Sequence, residues 1–108
     1  MKKFRDLPTP CLVLDLERFE SNLDKMSRFV TGRAVALRPH TKTHKCPQIA
    51  RRQIARGAIG VCVATIAEAE VMVRNEIEGL LITAELDGQP KLSRFVDVLK
   101  RGPYTMLV

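Results

Sequence analysis

The residues able to do chemistry crowd into one stretch, Arg38-Pro39-His40-Thr41-Lys42-Thr43-His44-Lys45-Cys46, which follows the short apolar run Ala34 to Leu37. That run is bounded by polar residues and fits a buried strand. If strand geometry carries on past Leu37, side chains alternate, putting Arg38, His40 and Lys42 on one face and Leu37, Pro39 and Thr41 on the other. A lysine amine ordinarily has a pKa of about 10.4, and only its neutral form attacks a carbonyl carbon. Neighbouring positive charge and partial burial both disfavour the ammonium. Lys42, among two histidines, Arg38 and Lys45, is therefore a candidate Schiff-base nucleophile. The same residues also fit a solvated basic loop after a strand, and spacing alone does not separate the two.

His40, His44 and Cys46 are zinc-ligand types. No fourth ligand stands at a familiar spacing, and a strand-end conformation does not hold both histidines on one helical face, so no metal site is assigned to this chain. Glu68 reads as a capping residue, Glu70 as a helix-surface residue, and Tyr104 as a core aromatic opening a strand.

The elements that must position this cluster follow from the flanking sequence. Two prolines in LPTP impose an extended entry, and Cys11 to Leu14 reads as a short strand. Asp15 stands as an N-cap before Phe19, Leu23, Met26, Phe29 and Val30, whose spacing predicts an amphipathic helix over about residues 16 to 30, stopped by Thr31-Gly32. Pro47 opens a helix that ends at Gly57. Ala58 to Ala64 is an apolar strand expected to be covered on both faces. Thr65 and Glu68 make a Thr-x-x-Glu capping box for the next helix. Gly79 to Thr83 is a further strand, Pro90 opens a helix broken by Gly102-Pro103, and Tyr104 to Val108 is a last strand. Strand, loop and helix recurring every 20 to 25 residues, roughly, is the pattern of a parallel βαβ architecture. It suits either a small open α/β sheet or half of an eight-stranded barrel, and ending on an uncovered apolar strand favours the half-barrel.

Composition bounds the function. With 108 residues, 45% hydrophobic and 28% charged, the chain has the make-up of one small folded domain rather than a disordered segment. Aromatics are 5% with no Trp, which removes the stacking platforms of single-strand nucleic-acid binders. The net charge of +6 is scattered from Lys2 to Arg101, a distribution that serves solubility more than a polyanion site. The three cysteines form no CxxC pair, so a reducing, cytoplasmic location is expected. No apolar run approaches the roughly 18 residues of a membrane span, and the N-terminus has no signal-peptide core.

The segment RPHTKTHKCPQIARRQIARGAIGVCVATIAEAEVM, with the opening TPCLVLDLERFESNLDKM and the strand GLLITA, resembles the D-threonine aldolase and D-serine dehydratase family. Members are pyridoxal 5'-phosphate (PLP) enzymes of the alanine racemase-like, fold-type III class. The resemblance implies an α/β fold that is the N-terminal half of a PLP-binding (β/α)8 barrel, residues 1 to 108, truncated after about four barrel strands. It implies that Lys42 is the PLP lysine at the end of the first barrel strand, and that residues 1 to 14 hold a strand belonging to an absent C-terminal β domain. His40 and Arg38, on the same expected face, become candidate cofactor contacts; His44 and Lys45 stay open between substrate-carboxylate contacts and loop charges. The divalent metal of the family, Mn or Zn, has its ligands outside this chain. The implied activity is a PLP-dependent lyase on small D-3-hydroxy amino acids, D-threonine aldolase-like, with dehydratase or racemase chemistry as alternatives and a homodimer as the full-length form. From another class, a basic RNA- or polyanion-binding module or an inactive truncated product remain as readings; nucleic acid and membrane are not expected partners.

Overall fold

The computed structural model describes residues 3–102 and 105–107. Helix α1 spans Leu16–Val30, α2 Pro47–Ile54, α3 Ile66–Arg74 and α4 Gln89–Arg101, and the strands are β1 Val61–Val63, β2 Leu80–Ile82 and β3 Met106–Leu107. Local chemistry starts each helix. The Asp15 carboxylate accepts from Arg18 N at 3.0 Å, Pro47 occupies the first turn of α2, and the Thr65 hydroxyl accepts from Glu68 N at 3.2 Å. Glu68 departs from the expected box, because its Oε2 accepts from Ala64 N, at 2.8 Å, rather than from the Thr65 amide.

The strands lie in the order β1-β2-β3, all parallel. Parallel neighbours need crossovers, and α3 and α4 supply them. One sheet face is closed: Val61, Val63, Leu80 and Ile82 are fully buried against Ala50, Ile66, Ala69, Met72, Val73 and Val98. Each such aliphatic contributes on the order of 1.5–3 kcal/mol of burial. The other face is not covered on both sides as the apolar runs suggested. Cys62 and Leu81 are half-buried and Met106 is exposed, because the buried residues of α2, α3 and α4 pack against the other side of the described strands.

The first barrel strand is shifted from its expected place. Ala34 to Ala36 are exposed and carry no ladder, whereas Leu37 to His40 runs beside β1: Ile59 N donates to Leu37 O at 2.9 Å and Cys62 N to Pro39 O at 2.7 Å. The row ends in a parallel bridge between His40 and Cys62. Pro39 has no N–H to give, so the segment accepts from β1 but makes no full ladder of its own. Cys11 to Leu14 forms no strand and is exposed. The expected last strand is seen as Met106–Leu107, while Tyr104 and Val108 lie outside the described residues.

Two glycines allow the strands to meet at their N-terminal ends. A Cβ on Gly60 would lie 2.0 Å from Gly79 O, and one on Gly79 would lie 2.6 Å from Ile59 O. Helix α1 has no buried residue and is held to α2 by polar contacts. Arg52 and Arg56 both reach Glu20, Arg56 Nε donates to Asp24 at 2.8 Å, and Ser27 Oγ donates to Arg56 O at 2.8 Å.

Candidate active site

The row Leu37 to His40 delivers the basic cluster to the C-terminal edge of the sheet, and there the alternation expected for a strand stops. Thr41–Thr43 is a single 3-10 turn, so Lys42 does not share a strand face with Arg38 and His40. Its side chain is exposed at the rim. The turn is pinned from beneath by Thr41, which is fully buried and donates its hydroxyl to Cys62 O at 3.1 Å. It is pinned at its ends by two histidines: His40 Nδ1 accepts from Lys42 N at 3.3 Å, and His44 Nδ1 accepts from Cys46 N at 3.0 Å.

His40 is half-buried and reaches across the sheet, with Nε2 3.1 Å from Thr83 Oγ1. Thr83 follows β2 directly and donates both its backbone N–H, at 3.0 Å, and its hydroxyl, at 3.2 Å, to Val63 O. Thr83 and Thr41 were not among the residues singled out by sequence reasoning. The available signal was position: each is a polar residue just past an apolar strand, on the edge where parallel αβ barrels place their chemistry.

Arg38 sits elsewhere. Its Nη1 donates to Gly79 O at 2.6 Å, at the N-terminal end of β2, and it lines a concavity there with Gly60, Gly79 and Met106. The structure therefore brings His40 to the Lys42 turn and Arg38 to the opposite end of the strands. Lys45, at φ 49°, turns toward α3, where its Nζ lies 3.4 Å from the mostly buried Glu68 carboxylate. Glu70 does more than cover a helix surface: it takes two hydrogen bonds from Arg94, at 2.7 and 2.8 Å, joining α3 to α4. That paired guanidinium holds its carboxyl below the usual carboxylate range.

Burial pushes the His44 imidazole pKa down. Its Nε2 is buried near Gln53, and His44 Nε2 and Gln53 Oε1 are the two buried side-chain atoms without a satisfied hydrogen bond among the described residues. The two are complementary, since an imidazole whose Nδ1 accepts must carry its proton on Nε2. Burial also pushes the Cys62 thiol up, against the opposing pull of Arg38, which keeps it a hydrogen-bond donor to Arg38 O at 3.4 Å. No group of three or more His, Cys, Asp or Glu side chains converges among the described residues.

The model of the family described as alanine racemase, N-terminal domain, matches residues 14–100. The chain belongs to this family. A D-threonine aldolase of an Arthrobacter species is 48% identical over 85 residues, which is 79% of this chain and 22% of that protein. A 3-hydroxy-D-aspartate aldolase of Paracoccus denitrificans is 34% identical over 98 residues, 90% of this chain and 25% of the other. The crystal structure of the D-threonine aldolase from Filomicrobium marinum superposes with a TM-score of 0.92 at 44% identity, over 96% of this chain and 28% of that one. The alanine racemase-type α/β fold is thus established, and the chain spans about a quarter of the length of the curated relatives it matches.

The family implies PLP, and the donor set on this rim fits its carbonyl end. The cofactor needs a primary amine that solvent and a planar aldehyde can reach. Lys42 supplies one, exposed, on a turn whose backbone is fixed by the buried Thr41 and by His40.

Proposed function

We propose that this chain carries the cofactor-attachment segment of a PLP-dependent lyase acting on D-3-hydroxy amino acids in the manner of a D-threonine aldolase, with Lys42 as the attachment amine. One observation carries the reading: an exposed lysine on a pinned turn at the C-terminal edge of a parallel sheet, in a chain that superposes on a D-threonine aldolase at TM-score 0.92. When bound, PLP supplies an electron sink for the carbanion left at the substrate Cα.

The chain's own residues hold and orient. Thr41 fixes the height of the turn above β1, so that the Lys42 amine approaches from a defined direction rather than from a mobile loop. His40 lies beside that turn as the residue positioned to border the cofactor ring. Arg38, bound to Gly79 O at the far end of the strands, would act on the cofactor only through the sheet that it holds. A divalent metal polarising the substrate hydroxyl would take its ligands from outside the described residues. The proposal extends to a homodimer and a reducing, cytoplasmic setting, for which the three free cysteines argue.

A dehydratase outcome is the second reading. It is favoured by a D-threo-3-hydroxyaspartate dehydratase structure that matches at TM-score 0.83 and 34% identity, covering 94% of this chain and 26% of that one. A polyanion-binding role draws less support, since Arg52, Arg56, Arg94 and Lys45 are each committed to a carboxylate. Borohydride reduction in the presence of PLP, followed by peptide mapping, tests the attachment. D-threonine supplied to the PLP-loaded protein separates the reactions: glycine with acetaldehyde marks an aldolase, and a 2-oxo acid with ammonia marks a dehydratase.

A further inference from the structure

Three strand ends are linked by hydrogen bonds whose donors can be counted. A backbone N–H only donates, so His40 Nδ1, which takes the Lys42 N–H at 3.3 Å, must be unprotonated. The proton of the neutral ring then sits on Nε2, which faces Thr83 Oγ1 at 3.1 Å. Thr83 can accept it because its own hydroxyl proton is given to Val63 O at 3.2 Å. Each hydrogen in the row has one acceptor, and reversing any link leaves two donors facing each other.

We propose that Thr83 is a positioning residue for Lys42: by accepting the Nε2 proton of the His40 ring, whose Nδ1 takes the Lys42 N–H, it anchors that ring and thereby clamps the turn that bears the amine. The proposal rests on the reading of Lys42 as the attachment amine and adds two statements to it. His40 has no free lone pair and no spare proton, so it borders the site as an uncharged ring and does not shuttle protons. Protonating His40 would break its bond with the Lys42 amide and loosen the turn. The other titratable and charged groups on or beside this turn are Lys42, His44, Lys45 and, through Lys45, Glu68.

Nitrogen-15 NMR of the histidine-labelled chain tests this, with the His44→Gln variant used to assign the two rings. At about pH 8, His40 is expected to show a proton-free Nδ1 and a protonated Nε2. Thr83→Ser should preserve that pattern. Thr83→Val removes the acceptor of the Nε2 proton while Nδ1 still takes the Lys42 N–H, so the tautomer should hold, the Nε2 N–H signal should move as its hydrogen bond is lost, and borohydride-trapped PLP labelling of Lys42 should slow by up to about tenfold, the worth of one hydrogen bond. A ring protonated on Nδ1, an Nε2 signal and labelling rate left unchanged by Thr83→Val, or a Thr83→Ser variant that behaves like Thr83→Val would each overturn the proposal. Failure of PLP to reach Lys42 in the unaltered chain would instead contradict the functional reading, because the nitrogen shifts are read without cofactor.

Discussion

The hydroxyl of Thr41, a side chain with no exposed surface, donates to the backbone carbonyl of Cys62 at 3.1 Å, and Lys42 is the next residue along the chain. Through that bond a residue of the rim is referenced to the middle of β1. Replacing Thr41 by Val keeps the shape and removes the donor, leaving a carbonyl lone pair without its partner in a buried place. The expected cost is about 1–3 kcal/mol, read as a lowered urea midpoint at unchanged slope, with Thr41→Ser recovering most of it. Loss in Thr41→Ser with none in Thr41→Val would mean that the methyl group, not the hydroxyl, is what the site requires.

Gly60 and Gly57 both have positive φ, +144° and +96°, but their surroundings differ. A Cβ on Gly60 meets the backbone oxygen of Gly79 at 2.0 Å, while one on Gly57 meets nothing within 4 Å. Gly57→Ala should therefore cost only the conformational strain, about 1 kcal/mol. Gly60→Ala must also push two strands apart and should cost at least about 3 kcal/mol, visible as loss of cooperative melting. Similar melting temperatures for the two variants would show that β1 and β2 do not approach this closely.

The pH dependence of stability follows from His44. Its folded-state pKa is lowered by burial, so above the unfolded value of about 6.5 the ring is neutral in both states and its hydrogen bond from the Cys46 amide is kept. As pH falls below that value the unfolded chain takes the proton first, and stability drains away until the folded-state pKa is passed. Unfolding midpoints measured between pH 8 and pH 5 should fall, and His44→Gln should flatten that fall. A wild-type profile that rises on acidification would reverse the sign and remove this account of the buried ring.

Much of this was legible in the sequence, and the rest was hidden for identifiable reasons. Asp15 and Thr65 accept from amides three residues on, and Pro47 lacks the N–H that a first helical turn leaves without a partner, so the starts of α1, α2 and α3 could be read directly. The rim position of Lys42 was legible too, since it follows from an apolar run ending in polar residues. What the sequence hid was long-range partnership. Arg38 finds a carbonyl 41 residues away and Thr83 a histidine 43 residues away, and no periodicity records such pairs. The first strand was misplaced because Ala34 to Leu37 is the more apolar stretch, while the acceptors facing β1 are Leu37 and Pro39. A 3-10 turn in place of continued strand cancelled the alternation from Thr41 onward.

Exposed apolar side chains make a further prediction about association. Leu12, Val13, Leu14, Ile59 and Met106 are 104%, 57%, 52%, 56% and 48% exposed, and the sheet face bearing Cys62 and Leu81 is only partly covered. Uncovered strands and patches of this kind recruit further chains. Light scattering of the 108-residue chain should show oligomers that grow with concentration. A monodisperse monomer at all concentrations would contradict this.

The most direct measurement is chemical. The chain is incubated with PLP, reduced with borohydride and mapped by peptide mass, alongside Lys42→Ala and Lys45→Ala variants. The account predicts a pyridoxyl group concentrated on Lys42, abolished in Lys42→Ala and retained in Lys45→Ala. Label scattered evenly over the surface lysines, or unchanged by loss of Lys42, would contradict it.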